Sequence, residues 1–281
     1  MRLPHLIIED MVRRALLEDL GHGRDITADS LIPGDLTGSL VMKAREDGIL
    51  AGAPFAETAF KLFSPEVKVS HHAQDGSRIR PAQVILTAEG PVKSILSAER
   101  TALNFVTHLS GIASETRKYV DTVSRTNAAI VCTRKTLPGL RMAQKYAVLM
   151  GGGKNHRFGL DDGVLIKDNH IALCGGVTQA LDQAKKRAGH MVKIEIEVDT
   201  LDQLQEVLKH GGADIVLLDN MPPETLKEAV QMVDDKILTE ASGGVNLSSV
   251  REIAETGVDL ISVGALTNSV QALDIGLDIG A

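Results

Sequence analysis

The chain has 281 residues, of which 43% are hydrophobic, and its formal net charge is −7. This length is sufficient for one barrel of alternating strands and helices with a modest additional domain, and the hydrophobic content can fill both cores. Aromatic residues make up only 2% of the chain and Trp is absent, so the composition excludes a base-stacking platform or a basic stripe for nucleic acid.

The first 20 residues predict an amphipathic helix, because acidic side chains such as Glu9 and Asp10 interrupt the apolar positions. That pattern does not fit a secretory signal peptide. No apolar run approaches the ~20 residues that a membrane-spanning helix needs. Cys132 and Cys174 have no partners at the spacing of a metal site or a disulfide framework, so we expect a cytoplasmic protein that does not bind membranes.

A small α/β domain is predicted next. Short apolar segments bounded by turn residues predict strands at 38–44, 48–52, 67–73 and 83–89. A helix is expected from Val92 onward, because apolar residues then recur at helical spacing.

From residue 129 the pattern changes to a regular alternation of strand and helix. Strands are predicted at 128–133, 164–167, 192–198, 214–219, 236–241 and 259–264, with helices beginning near Pro138, Val177, Leu201, Pro222 and Leu247. This alternation predicts a parallel (β/α) barrel, incomplete and TIM-like, whose carboxyl-terminal strand ends share one rim. A doubly wound open sheet is the alternative, but its GxGxxG fingerprint is missing.

The segment 133–170 is basic within this acidic protein. It contains seven Lys or Arg residues against three Asp, a local charge of +4 that leaves −11 for the rest of the chain. Three consecutive glycines, Gly151 to Gly153, and the histidines His156 and His170 lie in the same segment. A local cationic patch of this kind is typical of a pocket for a small polyanion.

Two further groups lie at predicted strand ends. Ser242, Gly243, Gly244 and Gly264 could offer backbone N–H groups to a phosphate, or could form plain turns between strand and helix. The carboxylates Glu197 and Asp219 could hold Mg²⁺ or sugar hydroxyls, or could form ion pairs with Lys167 or Arg157.

Several motifs together resemble one enzyme family, quinolinate phosphoribosyltransferase. The motifs are RKTLPGLR (134–141), KYA (145–147), GGGKNHRFGL (151–160), LIKDNH (165–170), LDNM (218–221), EASGG (240–244) and VGALT (263–267). The resemblance extends from about Glu18 to Asp278, which is nearly the whole chain.

The resemblance implies transfer of the phosphoribosyl group of PRPP to the ring nitrogen of quinolinate, with Mg²⁺. Pyrophosphate and CO₂ are released, and nicotinate mononucleotide is formed. The implied quinolinate ligands are Arg134, His156, Arg157 and Lys167, together with Arg100 from a neighbouring subunit. Those implied for PRPP are Lys135 at pyrophosphate, Glu197 and Asp219 at the ribose and Mg²⁺, and Ser242, Gly243, Gly244 and Gly264 at the 5′-phosphate. Lys135, Lys167, Glu197 and Asp219 are the implied catalytic residues.

The expected domains are 1–110, 111–267 for the barrel, and a tail of 268–281 that could pack on the first domain. The expected assembly is a homodimer or a higher even oligomer with shared active sites. Two positions depart from the family pattern: Cys132 stands where Asp is common, and Asn268 stands where His is common. Arg100 could instead be a core-edge residue whose stem packs on its own helix, and His156 and His170 could be simple hydrogen-bonded residues.

Three other functions remain open at this point. A related phosphoribosyltransferase could take nicotinate, which needs fewer cations at its carboxylate. A Schiff-base aldolase on the same barrel could use Lys167 as its nucleophile. A repurposed paralogue, such as the molybdenum-associated relatives, would keep the fold and lose some of the cations.

Overall fold

A computed structural model describes residues 3–280 and divides the chain into two compact units. The first unit runs up to Arg117 and also takes Thr136–Gly152 and the chain from Leu266 onward. The second unit consists of Lys118–Lys135 and Gly153–Ala265.

The elements of the described residues are as follows in chain order. They are α1 (His5–Leu20), α2 (Ile26–Leu31), β1 (Thr37–Ala44), β2 (Gly48–Ile49), α3 (Ala53–Phe63), β3 (Lys68–His71), β4 (Arg78–Ile79), β5 (Val84–Pro91), α4 (Val92–Thr122), β6 (Ala129–Val131), α5 (Arg141–Met150), β7 (Val164–Ile166), α6 (Asp168–Cys174), α7 (Val177–Arg187), β8 (Ile194–Val198), α8 (Leu201–His210), β9 (Ile215–Asp219), α9 (Pro223–Val233), β10 (Leu238–Ser242), α10 (Val250–Ala254), β11 (Leu260–Ser262), α11 (Ala265–Asn268) and β12 (Ile275–Ile279).

The first unit contains an antiparallel sheet of order β12-β1-β5-β3 and a short β2-β4 pair. Helix α4 buries apolar side chains at helical spacing, among them Ile95, Val106 and Leu109. The rings of Phe55 on α3 and Phe105 on α4 stack with centroids 5.0 Å apart. Truncation of such a buried aromatic side chain to Ala costs about 3–5 kcal/mol of stability.

The second unit contains a parallel six-stranded sheet of order β6-β11-β10-β9-β8-β7. Helices α6 to α10 connect its strands, and α7 to α10 bury apolar side chains, as in α8, where Leu204 and Val207 are buried. Strands β6 and β7 are the two edges, and no pairing joins them among residues 3–280. The prediction of an incomplete α/β barrel with a smaller α/β domain is therefore confirmed.

The compact units differ from the domain limits expected at 110 and 267. Residue 110 lies inside α4, a continuous helix, so the units do not separate there. Helix α5, expected near Pro138 as part of the barrel, begins at Arg141 and belongs to the first unit. Two hydrogen bonds join α5 to other parts of this unit: Tyr146 Oη donates to Asp75 Oδ2 at 2.7 Å, and Gln144 Nε2 donates to the Thr267 carbonyl at 2.8 Å.

The chain after residue 268 also joins the first unit. Its strand β12 pairs antiparallel with β1, with Leu277 opposite Met42. Within the part of the chain that the structure describes, no helix is both long enough and apolar enough to cross a membrane.

Candidate active site

The inner face of the barrel follows from the register of the parallel strands. Residues that are paired in register point to the same side of a sheet, and side chains alternate sides along each strand. Glu197 is in register with Leu217, and Leu217 with Glu240. Glu195 lies two residues before Glu197 on the same strand, so all three carboxylates project from one face of the sheet.

The same register places the predicted phosphate and ribose groups beside each other. Ser242, the last residue of β10, is in register with Asp219, the last residue of β9. Both residues lie at carboxyl-terminal strand ends, where parallel barrels assemble their active sites.

The segment after the glycine run lies along the exposed edge of β6. Lys154 N donates to the Ile130 carbonyl at 2.8 Å, and Cys132 N donates to the Lys154 carbonyl at 3.1 Å. This pairing brings His156 and Arg157 to the open side of the barrel. They line a cavity of about 300 Å³ with Glu195 and Glu240.

His156 is hydrogen-bonded at both ring nitrogens. Its Nε2 lies 2.8 Å from Glu195 Oε2 and 3.9 Å from Glu240 Oε1, and its Nδ1 accepts from the Arg157 backbone N–H at 2.7 Å. Burial, followed by the charge of Glu195, raises the pKa of Glu240 to about 7. The raised pKa indicates that this group retains its proton to near-neutral pH.

Arg157 lies close to a second cation, Arg134. Its Nη1 donates to the Gly163 carbonyl at 2.9 Å. Burial and then the charge of Arg134 lower the pKa of Arg157. Two guanidinium groups that repel each other in a partly buried position favour an anion between them, and a planar dicarboxylate suits their donor geometry.

Lys167 connects the cationic segment to an acidic strand end. Its Nζ donates to Glu197 Oε2 at 2.7 Å, with the Glu197 side chain buried and that of Lys167 about half exposed (48%). The sequence left open whether Glu197 forms an ion pair with Lys167, and the structure contains this ion pair. The Lys167 backbone N–H donates to His170 Nδ1 at 2.9 Å, so the His170 side chain forms a capping hydrogen bond at the start of α6.

A tight turn follows β10. Gly243 has a φ of +96°, and a Cβ there would lie 2.1 Å from Asn220 Oδ1. Any larger residue would therefore collide with Asn220. A Cβ on Gly264 would lie 3.0 Å from Lys135 Cδ. Lys135, which the resemblance assigns to pyrophosphate, thus lies against the glycine assigned to the 5′-phosphate.

The remaining positions have simpler surroundings. Arg100 is exposed on α4, in the first unit. The thiol of Cys132 donates to Asn155 Oδ1 at 3.2 Å, and Asn268 Oδ1 accepts from Ser269 Oγ at 2.7 Å.

Glu195 and Glu240 are site residues that were not predicted from the sequence. The only local signal was the alternation of Glu in the IEIEV strand, where every residue is buried. Buried carboxylates on a strand need partners, and this requirement could have singled them out.

Comparison with known proteins gives consistent results. Residues 25–110 and 112–278 match the N-terminal and C-terminal domains of the family described as quinolinate phosphoribosyl transferase. The chain is 44% identical to a probable carboxylating nicotinate-nucleotide pyrophosphorylase of Bacillus subtilis, over 98% of this chain and 94% of that protein. It is 46% identical to the carboxylating nicotinate-nucleotide pyrophosphorylase of Mycobacterium leprae, over 96% of each. A solved structure of the Francisella tularensis nicotinate-nucleotide pyrophosphorylase has a TM-score of 0.94 at 40% identity, covering 99% of this chain and 98% of that one.

Proposed function

Because the chain belongs to the quinolinate phosphoribosyltransferase family, we propose that it is a carboxylating nicotinate-nucleotide pyrophosphorylase of NAD biosynthesis. The enzyme transfers the phosphoribosyl group of PRPP to the ring nitrogen of quinolinate. It releases pyrophosphate and CO₂ and forms nicotinate mononucleotide. The observation that carries the proposal is the Lys167–Glu197 contact, which joins the cationic segment to the acidic strand ends at one rim of the barrel.

Arg134 and Arg157 bind the two carboxylates of quinolinate. Their mutual repulsion, which lowers the pKa of Arg157, is relieved when a dianion lies between them. Lys167 completes this end of the site, with His156 beside Arg157 and hydrogen-bonded to its backbone, and Arg100 of a neighbouring subunit supplies a further cation. Held in this way, the ring nitrogen is oriented toward C1 of the ribose, and orientation is a major part of the rate enhancement for a two-substrate reaction.

The PRPP end uses the other groups of the rim. The N–H groups of the turn at Gly243 and Gly244, with Ser242 and Gly264, bind the 5′-phosphate, and Lys135 stabilises the departing pyrophosphate. Glu197 and Asp219 lie beside the ribose, where their charge stabilises the cationic character that develops at C1.

Hard oxygen ligands on adjacent strand ends suit Mg²⁺, which binds proteins through one or two carboxylates and takes its other ligands from phosphates and water. Glu197 and Asp219 would hold the ion, directly or through water. It would neutralise negative charge on the pyrophosphate.

Loss of CO₂ needs no protein nucleophile. After transfer, the bond from C2 to its carboxylate breaks and leaves its electron pair on C2, where the positive charge of the adjacent ring nitrogen stabilises it. CO₂ departs, and a proton then bonds to that carbon. The contribution of the protein is to orient this carboxylate and exclude water. The cation Lys167, which is bonded to Glu197, is therefore assigned to substrate binding and not to Schiff-base chemistry.

The assembly we propose is a homodimer, or a higher even oligomer, with active sites shared between subunits through Arg100. Cys132 and Cys174 are not joined in a disulfide in the described residues, which fits a reducing compartment such as the cytoplasm.

The deciding experiment compares quinolinate with nicotinate as acceptor, in the presence of PRPP and Mg²⁺. Nicotinate lacks the 2-carboxylate and leaves a buried cation unpaired, which costs about 1–3 kcal/mol. We therefore expect kcat/KM for nicotinate to be lower by about tenfold to a hundredfold. One CO₂ should be released for each mononucleotide formed from quinolinate.

Two variants sharpen this comparison. Arg157→Lys keeps the charge but loses the planar fork, so it should raise the KM for quinolinate. Lys209→Ala removes an exposed cation in the last turn of α8 and serves as the control with unchanged kinetics. Equal turnover of the two acids by the wild-type protein would refute the assignment.

A further inference from the structure

Glu195, Glu240 and His156 form a buried cluster. The proposed reaction assigns no role to its two glutamates. The side chain of His156 is 13% exposed, and those of Glu195 and Glu240 are 6% and 2% exposed. Buried carboxylates are costly unless they have partners. Nevertheless, the Oε1 atoms of both glutamates are buried without a hydrogen-bond partner among residues 3–280.

The hydrogen bonds fix the tautomer of His156. The Arg157 backbone N–H donates to Nδ1, so Nδ1 carries no proton. The contact between Nε2 and Glu195 Oε2 at 2.8 Å is therefore a hydrogen bond in which the ring donates. His156 thus connects the backbone of Arg157, on one side of its ring, to a buried carboxylate on the other.

A metal ion is the competing explanation for this cluster, because one ligand atom from each of the three residues lies within 4.8 Å of the others. A histidine that binds a metal normally donates its second ring N–H to an acceptor. Here Nδ1 faces a backbone N–H donor, so the surroundings of the ring suit a proton on Nε2 and not a metal.

Glu240 lies near the same ring nitrogen of His156 as Glu195. Burial and the charge of Glu195 raise the pKa of Glu240, which favours the neutral form of that carboxyl group. Glu195 accepts the hydrogen bond from His156 Nε2, and Glu240 lies beside this pair, with its Oε1 3.9 Å from the same nitrogen.

We propose that Glu195 and Glu240 are positioning residues for the quinolinate end of the site: through His156, they hold the backbone of Arg157 where its guanidinium meets the substrate carboxylate. The inference rests on the proposed function for the identity of the substrate. The orientation of His156 is a separate property of the fold and can be measured without turnover.

The kinetic test uses Glu195→Leu, which removes the acceptor, and Glu195→Gln, which keeps an oxygen that can accept from Nε2. We expect Glu195→Leu to raise the KM for quinolinate by about tenfold to a hundredfold, as misplacement of a binding group does, with the KM for PRPP within about twofold. Glu195→Gln should recover most of this loss. Glu252→Gln, an exposed carboxylate on α10, is the matched control.

The structural test is the ¹⁵N spectrum of the His156 ring, assigned by comparison with His156→Gln. The wild-type and Glu195→Gln proteins should show a protonated Nε2 and an unprotonated Nδ1 at pH 7. This measurement needs no activity, and it applies even if Glu195→Leu does not fold.

Three results would overturn the inference. They are a protonated Nδ1 in the wild-type protein, an equal rise in KM for both substrates in the Glu195 variants, and a stoichiometric transition metal that is lost in Glu195→Gln. Failure of the wild-type protein to use quinolinate would instead refute the proposed function, and the ¹⁵N result would still decide the orientation of His156.

Discussion

Replacement of Glu240 by Gln should stabilise the protein relative to wild type, and this stabilisation should be larger at pH 8 than at pH 5. The side chain is almost fully buried, and its pKa is raised from an ordinary value of 4.5 to about 7. Gln has nearly the same shape and does not titrate. The variant therefore removes the ionisation of one group and leaves the packing of β10 in place.

The sign of this pH dependence follows from the number of protons that the folded and unfolded states bind. With a raised pKa, the folded state keeps the Glu240 proton between about pH 4.5 and 7, whereas the unfolded state releases it. The free energy of unfolding of the wild type therefore falls as the pH rises through this window. Each pKa unit corresponds to about 1.4 kcal/mol, so the full penalty above pH 7 is about 3 kcal/mol. The uncharged amide of the variant carries no such penalty.

This energy converts to a measurable shift in melting temperature. An unfolding entropy of about 2.1 cal/mol/K per residue over this chain gives about 0.6 kcal/mol/K, and 3 kcal/mol then corresponds to about 5 °C. Melting temperatures of wild type, Glu240→Gln and the exposed control Glu252→Gln should be recorded from pH 5 to 8. The advantage of Glu240→Gln should be small at pH 5 and reach up to about 5 °C at pH 8.

A raised pKa of Glu240 is refuted if the difference in melting temperature between wild type and Glu240→Gln stays constant across this range, or if it decreases as the pH rises. A constant difference would mean that Glu240 is ionised in the folded state throughout. The charged and titratable groups that surround Glu240 and its cavity belong to the neighbouring strands and the adjoining loop: Glu195, His156, Arg157, Lys154, Asp162, Lys193 and, as a hydroxyl donor, Ser262.

Two further predictions concern substrate use. Glu197→Gln and Asp219→Asn should each raise the KM for PRPP by about tenfold or more and leave the dissociation constant of quinolinate nearly unchanged; a defect confined to quinolinate would show that Glu197 serves only as the ion-pair partner of Lys167. Arg100→Ala and Lys167→Ala should each be nearly inactive alone, whereas mixing them with subunit exchange should recover roughly a quarter of wild-type activity if the site is shared in a dimer. No recovery despite exchange would place the action of Arg100 within its own chain.

The barrel could be predicted from the sequence because each of its strands is a short apolar run followed by a helix. All six parallel strands lie within one or a few residues of their predicted positions. Several elements of the first unit could not be found in this way, among them α2, α3, β4 and β12. Helix α3 follows closely after the short β2 strand, and its N-cap is Gly52, which provides no side-chain cap that would mark a helix start. Strand β12 contains a glycine and exists only through its pairing with β1, which lies far earlier in the chain.

Some residues of the candidate site could likewise be predicted from local sequence, and others could not. Arg134, Lys135 and Arg157 stand out because cations are concentrated in a basic segment of an acidic chain, and the motifs around them carry the resemblance. Glu195 and Glu240 have no such local signal. They are brought together by strand register and by the path of the His156 loop along β6, and neither can be read from one stretch of sequence.

The buried acids also explain how a site made for polyanions remains folded before its substrates arrive. A cluster of like charges would destabilise the barrel rim through mutual repulsion. In the structure Lys167 is neutralised by Glu197, and His156 is bonded to Glu195. Arg157, beside Arg134, keeps its Nε without a hydrogen-bond partner among the described residues. The guanidinium of Arg157 therefore retains a donor for an anion, and the proposal places one carboxylate of the substrate there. Binding of quinolinate there satisfies a donor that the protein itself leaves unused, while the internal ion pair keeps Lys167 and Glu197 in position for the second substrate.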